Sequence, residues 1–371
     1  MSVGFLIRLS ARPRILVVRA DRLGDVVLSL PTIEVLKRAY PHSHLCVWVQ
    51  PRVAPLLRGL PFIDEVQEID PAQIGILELR KRLRAGRWEL ALLLQAQFKI
   101  AAALWLTRVR FRVGPFSKLY SYLFFNFGLR QRRSQVEMHE ADYNLQLLQL
   151  LGIEVGSRSV IPRVIPGNPA KARVEIFLRD AGVGQARPWV AVHPGMGGSA
   201  LNWPDSHYEA LVLELLTSGV GVVVTGGPGE QAILDRMVSK FASRFSASFA
   251  VFGGSKAGSV DELAALYSKM AVVVAPSTGP LHVAAAVGAR VVSFYPPIRV
   301  QSARRWGPYV EEIPGFEHES RASVLVPEVH CGQDFKCRGP ACRYFPCMSS
   351  LTVAQVRDLV QNHLKQSQKH S

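Results

Sequence analysis

The chain has 371 residues, 48% of them hydrophobic, which is enough for two domains of ordinary size with separate buried cores. Its formal net charge is +15: residues 1–165 hold 24 Lys/Arg against 13 Asp/Glu, and residues 166–371 hold 20 against 16, so the first half is the one expected to face an acidic partner. No charge-free apolar run reaches the ~18 residues of a membrane-spanning helix, and the apolar run Val3–Ile7 is cut by Arg8 before it reaches the length of a secretory leader, so a cytoplasmic location is expected.

Short β-branched runs alternate with segments of helical length, the pattern of parallel α/β layers. In chain order, Ile15–Arg19 reads as a buried strand with a helix after it to about Arg38, and Leu45–Val49, Glu65–Ile69 and Leu90–Leu94 read as further strands. An amphipathic helix covers Asn144–Leu151 and ends at Gly152. The stretch Ile161–Pro169, with three prolines, a Gly and an Asn, reads as a linker. The pattern then restarts with strands at Trp189–His193, Gly221–Thr225, Phe249–Phe252, Ala271–Ala275 and Val291–Phe294, and a last helix runs from about Thr352 to Leu364. The expected layout is a domain over 1–165, a second over 166–350, and a C-terminal segment, 351–371, whose helix packs back on the first domain. In open α/β sheets ligands bind beyond the carboxyl ends of the strands.

Three strand ends in the second half carry residues suited to phosphate. His193-Pro194-Gly195-Met196-Gly197-Gly198-Ser199 can fold its N–H groups onto an anion, with a hydroxyl from Ser199. Gly226-Gly227-Pro228-Gly229-Glu230 places a carboxylate where ribose hydroxyls could donate to it. Ser277-Thr278-Gly279-Pro280-Leu281-His282 opens a helix, whose unpaired N–H groups and dipole favour phosphate. Singly, each turn is equally well read as ordinary capping. None has the Gly-Lys-Ser/Thr of a P-loop. In the first half, Arg19-Ala20-Asp21-Arg22-Leu23-Gly24-Asp25 follows the first strand, with Asp25 at a helix entrance, where a carboxylate acts either as a base or as a cap.

Together, R-A-D-R-L-G-D-V-V-L-S-L-P, H-P-G-M-G-G-S-A-L-N-W-P, T-G-G-P-G-E and A-P-S-T-G-P-L-H-V-A-A-A-V-G resemble glycosyltransferase family 9, the ADP-heptose:lipopolysaccharide heptosyltransferases, over about Arg14 to Val356. Arg112-Val113-Gly114 and the stretch His139–Gly152 also look like family features. The resemblance implies an α/β fold of GT-B type, two Rossmann-like doubly wound domains with a cleft between them, and an inverting, metal-independent sugar transfer. It implies Asp25 as catalytic base, with Arg19, Arg22 and Gly24 on the acceptor. It implies donor binding by His193, Gly195, Gly197, Gly198, Ser199, Gly226, Gly227, Glu230, Ser277, Thr278, Gly279 and His282. One departure bears on the donor: Leu201 stands where many members carry a Lys that neutralises the donor phosphates. Some members also carry Asp at the position of Ser277.

Trp105–Gln135 holds seven basic residues, no acidic one and eight interleaved aromatics. Such a stretch suits an anionic membrane surface, single-stranded nucleic acid, or a helix with its aromatic face in the core. Cys331, Cys337, Cys342 and Cys347 offer four thiolates for a structural zinc ion, but lack the paired C-x2-C spacing of most zinc modules, so a structural role without catalytic metal is expected. The expected partners are a nucleotide-sugar donor, a glycolipid acceptor and the inner face of an anionic membrane, with no nucleic acid and no cofactor for catalysis. Two other classes stand beside this one: a non-catalytic relative that binds a glycan or protein, and a nucleic-acid binder. ADP binding separates the first two from the third, and turnover separates the first from the second.

Overall fold

A computed structural model describes residues 7–184, 187–198, 200–256, 258–311 and 320–368. The chain divides into two units, Met1–Arg163 and Val164–Ser371.

The first unit holds β1 (Arg14–Val18), β2 (His44–Val49), β3 (Glu65–Glu68), β4 (Leu90–Leu93), β5 (Phe111–Pro115) and β6 (Phe127–Leu129). They form one parallel sheet in the order β3-β2-β1-β4-β5-β6. β1, β2 and β4 are nearly continuous Val, Leu and Ile because helices cover both faces. The edges are kept short, and β3 is also polar, as unpaired edges need to be. β5 and β6 were not anticipated: F-R-V-G-P and F-G-L carry an Arg, glycines and a Pro that obscure a strand pattern.

The second unit repeats the design with β7 (Trp189–Val192), β8 (Gly221–Gly226), β9 (Phe249–Gly253), β10 (Val272–Pro276), β11 (Arg290–Phe294) and β12 (Ala322–Leu325). The order is β12-β11-β10-β7-β8-β9, again parallel. β12 is the third strand that the sequence pattern did not reveal. Counted from each unit's first strand, both sheets have the Rossmann order 3-2-1-4-5-6.

The last helix, Val353–Gln368, corrects one expectation. Its Val356, Val360 and Leu364 are buried in the same core as Val190, Val274 and Val292, against the helix Asp205–Thr217 and β10 and β11. It completes the second unit's core. The heptad-like apolar spacing of the helix required a buried face; nothing in the spacing said which core would take it.

The strand order has a functional consequence. Where it reverses, between β1 and β4 and between β7 and β10, the crossovers leave in opposite directions and open a crevice at the strands' carboxyl ends. Arg19 to Asp25 follow β1, and His193 and Ser277 to His282 follow β7 and β10, with Gly226 to Glu230 at the end of the neighbouring β8.

Candidate active site

In the first unit, Arg19 follows β1 directly and is 2% exposed. Its Nη1 donates to the Leu94 carbonyl just beyond β4, 3.2 Å, and to Asn144 Oδ1, 3.3 Å. Its Nε donates to Asp21 Oδ1 at 2.9 Å and its Nη2 to Asp25 Oδ1 at 2.5 Å. Glu140 approaches Nη2 at 3.5 Å and is itself held by Arg133 at 2.5 Å. All of the Arg19 guanidinium nitrogens therefore face protein groups, and two of them hold Asp21 and Asp25. Arg22 is exposed at the entrance of the helix Leu23–Val27, and Gly24 is buried in it. Asp25 lies in that helix's first turn with its side chain 16% exposed, partly open at the crevice.

Two cations here face three carboxylates. Burial pushes the Asp21 carboxyl up to about 6, against the pull of Arg19 and with a further push from Asp25. Sequence reasoning singled out neither Asp21 nor the roles of Asn144, Glu140 and Arg133. Asn144 and Glu140 are buried polar residues on the helix Glu140–Gln146; polar residues on a helix's apolar face were the available signal.

In the second unit, the turn after β7 begins with His193, whose N–H extends the β7–β10 pairing by donating to Val274, 2.8 Å. Its ring is 5% exposed and joins Thr225 at 3.0 Å, which joins Tyr267 at 2.9 Å. Burial lowers the imidazole to about 4, so it is neutral at physiological pH. The side chain ties β7 to β8, and the turn itself is presented to solvent by Gly197 and Gly198. Both adopt left-handed φ, 58° and 70°, which glycine alone takes without strain. Ser199 lies outside the described residues.

Glu230 brings the first and second turns together. Its Oε2 accepts from Gly227 N–H at 2.8 Å, and its carboxyl carbon would stand 2.7 Å from a Cβ at Gly195. Gly195 is thus a glycine because Glu230 lies over it. The third turn follows β10: Ser277, Thr278 and Gly279 are half-buried at the start of the helix Gly279–Ala286, and His282 is buried within it, 5% exposed. Parallel strands β8, β7 and β10 are neighbours, so the three turns line one edge of the sheet.

Leu201 is partly buried. It packs on the second core and lines a small cavity with all four C-terminal cysteines. Its side chain is therefore taken up by the second core and the cysteine-lined cavity. The four cysteines are free thiols. Burial and the neighbouring Cys337, Cys331 and Cys342 raise the Cys347 thiol. Arg299 pairs with Asp334 at 3.1 Å.

The basic aromatic stretch is not one helix. It spans the end of the helix Phe98–Thr107, then β5, the helix Leu119–Phe124 and β6. Phe124 and Phe125 are buried, whereas Trp105, Leu119, Tyr122 and Leu123 are exposed, Leu119 at 93%. Phe98 is also exposed and packs edge-on against Tyr120 and Phe124. Tyr120 donates to the Ala96 carbonyl, 2.8 Å, beside the β1–β4 crevice.

Comparison with known proteins agrees with this geometry. Residues 76–324 match the model of glycosyltransferase family 9 (heptosyltransferase). A Haemophilus influenzae relative is 30% identical over 307 residues, 80% of this chain and 86% of its own. Lipopolysaccharide heptosyltransferase 2 of Salmonella typhimurium is 23% identical, covering 85% and 89%. Two solved structures share the fold: a family 9 glycosyl transferase from Veillonella parvula, TM-score 0.79 at 20% identity over 97% and 99% of the chains, and E. coli ADP-heptose lps heptosyltransferase II, 0.77 at 19% over 96% and 100%. A pair of Rossmann-like parallel sheets of this order is the GT-B fold of those structures. This chain belongs to glycosyltransferase family 9, the heptosyltransferase family.

Proposed function

We propose that the protein moves a heptose from ADP-heptose to a lipopolysaccharide-core acceptor, with inversion at the anomeric carbon. The observation that carries this reading is Asp25, fixed by a buried guanidinium at the β1–β4 crevice with part of its carboxylate open. The acceptor hydroxyl gives its proton to Asp25 as its oxygen bonds to the anomeric carbon, and the bond to the diphosphate breaks. The departing charge is met by N–H groups and hydroxyls of the three turns: Gly195, Gly197, Gly198 and Ser199; Gly226 and Gly227; Ser277, Thr278 and Gly279. This transfer needs no metal ion. Glu230 receives the ribose hydroxyls on the oxygen that Gly227 leaves free.

Two relatives support donor and acceptor: a lipopolysaccharide heptosyltransferase 2 and a heptosyltransferase solved with ADP-2-deoxy-2-fluoro heptose. Among the described residues no helix is long and apolar enough to cross a membrane. A lipid-linked acceptor is met at a membrane surface, where the exposed Phe98, Trp105, Leu119, Tyr122 and Leu123 enter the headgroup layer and neighbouring cations meet lipid phosphate. The protein works there as a peripheral enzyme on the cytoplasmic face.

The test is turnover with ADP-heptose, and ADP- and UDP-sugars as comparators, on a lipopolysaccharide-core acceptor. Asp25→Asn keeps the shape and removes the base. It should leave ADP affinity nearly intact and lower kcat by roughly 10²–10⁴-fold. Near-normal turnover where chemistry limits the rate would make Asp25 a cap.

A further inference from the structure

The segment that follows β12 has little regular structure. From Val326 to Thr352 its regular pieces are two single turns of 3-10 helix, Gly339–Ala341 and Cys347–Ser350. Yet this segment supports the donor side. Trp203, 1% exposed and four residues past the Gly197–Ser199 turn, donates its indole N–H to the Leu351 carbonyl at 2.7 Å, and Met348 and Leu351 are buried with it in the second core. Irregular chain of this length that holds a fixed position needs a cross-link or a ligand to offset its ordering entropy.

The four C-terminal cysteines supply the means. They line a single cavity of about 10 Å³ together with Leu201 and Phe345, room for about one atom-sized sphere. None is in a disulfide. The backbone N–H of Gly339 points at Cys337 Sγ, 3.2 Å, with Gly339 at φ 59° making that turn. An amide aimed at a sulfur favours thiolate over thiol, which is a weak acceptor. Gly332, at φ 63°, gives Cys331 a similar left-handed residue immediately after it. Lys336, Arg338 and Arg343 lie between the cysteines and offset negative charge there.

We propose that Cys331, Cys337, Cys342 and Cys347 form a tetrathiolate site for one divalent metal ion of the zinc or iron(II) class, which staples this segment behind the donor loop. Four thiolates in tetrahedral array suit these ions. Binding replaces four S–H protons by four metal–sulfur bonds: one M²⁺ enters, four protons leave, and no electron changes hands. As placed, no three metal-binding side chains among the described residues already stand at coordinating geometry. All four cysteines line the one cavity, so metal binding would have to draw their sulfurs together, a change that χ1 rotamers of cysteine allow for. The site also accounts for Leu201: an apolar residue caps the thiolate cluster, where an ammonium would compete with the metal for it.

The experiment is elemental analysis of the full chain purified under reducing conditions without chelator. About one zinc or iron per chain is expected, and the element found distinguishes the two. Cys342→Ser should lower the content roughly tenfold or more, whereas Cys46→Ala, whose thiol lies in the first unit, should leave it unchanged. Should Cys342→Ser not fold, alkylation of the unaltered protein decides: Cys331, Cys337, Cys342 and Cys347 should resist iodoacetamide until phenanthroline is added, and added zinc chloride should restore protection. Freely alkylated thiols without stoichiometric metal, or the same four residues recovered as disulfides, would overturn the site.

Discussion

Arg19 is the residue on which the first unit's chemistry turns. One buried guanidinium serves Asp21, Asp25, Asn144, Glu140 and the end of β4. Arg19→Met removes it and leaves carboxylates buried without a partner, a loss of about 3–5 kcal/mol, measurable as a lower urea midpoint. Arg19→Lys keeps the charge but not the fork, so it should recover part of the stability while kcat stays low and ADP affinity stays normal. A loss of ADP affinity in a folded Arg19→Lys protein would contradict the positioning role. The residue scale also shows what the sequence could not convey. R-A-D-R-L-G-D displayed Asp25 and Arg19 at once, but which of them faces substrate depends on Asn144 and Glu140, more than a hundred positions away, and spacing carries no such information.

At the scale of elements, the strands that sequence revealed best are the central ones. β1, β2, β4, β7, β8 and β10 are continuous apolar runs because they are covered on both faces, and burial on both faces is what makes a run readable. β5 and β6 escaped because Arg, Gly and Pro interrupt their apolar pattern, and β12 because its short run A-S-V-L is only half-buried. The basic aromatic stretch is not the single helix that one of its readings supposed: two modest strands lie inside it, and its exposed rings sit on two adjoining helices. Those helices, Phe98–Thr107 and Leu119–Phe124, make a separate prediction. Leu119→Asp with Leu123→Asp alters residues 93% and 64% exposed, so the melting temperature should hold while binding to vesicles of anionic phospholipid falls severalfold. Binding of the unaltered protein should weaken with salt, since surface attraction is screened within about 8 Å at physiological ionic strength. Vesicle binding indifferent to both salt and these substitutions would remove the helices from the membrane.

At the scale of the molecule, two units with separate cores should respond differently to ligand and to pH. ADP at a hundred times its Kd should add about 2.7 kcal/mol to the unit that binds it, so calorimetry should show the second unit's transition rise. The pH slopes should oppose. Asp21 has its folded pKa raised to about 6, so the stability it contributes is complete below about pH 4 and lost as pH rises through about 6. His193 and His363, both in the second unit, have theirs lowered to about 4, so their contribution is complete above about pH 6.5 and lost as pH falls through about 4. Between these limits acid should weaken the second unit relative to the first, and Asp21→Asn should flatten the first unit's slope. The placement of the helix Val353–Gln368 has one more consequence, for the time at which each half becomes a protein. The first unit's core is complete once its strands have left the ribosome, and domains of a growing chain fold in that order. The second cannot close until Val356, Val360 and Leu364 emerge, after all of its strands. Nascent chains arrested before Val353 should therefore carry a protease-resistant first half and a second half that is still being cut, one that becomes resistant only once the last helix is free to pack.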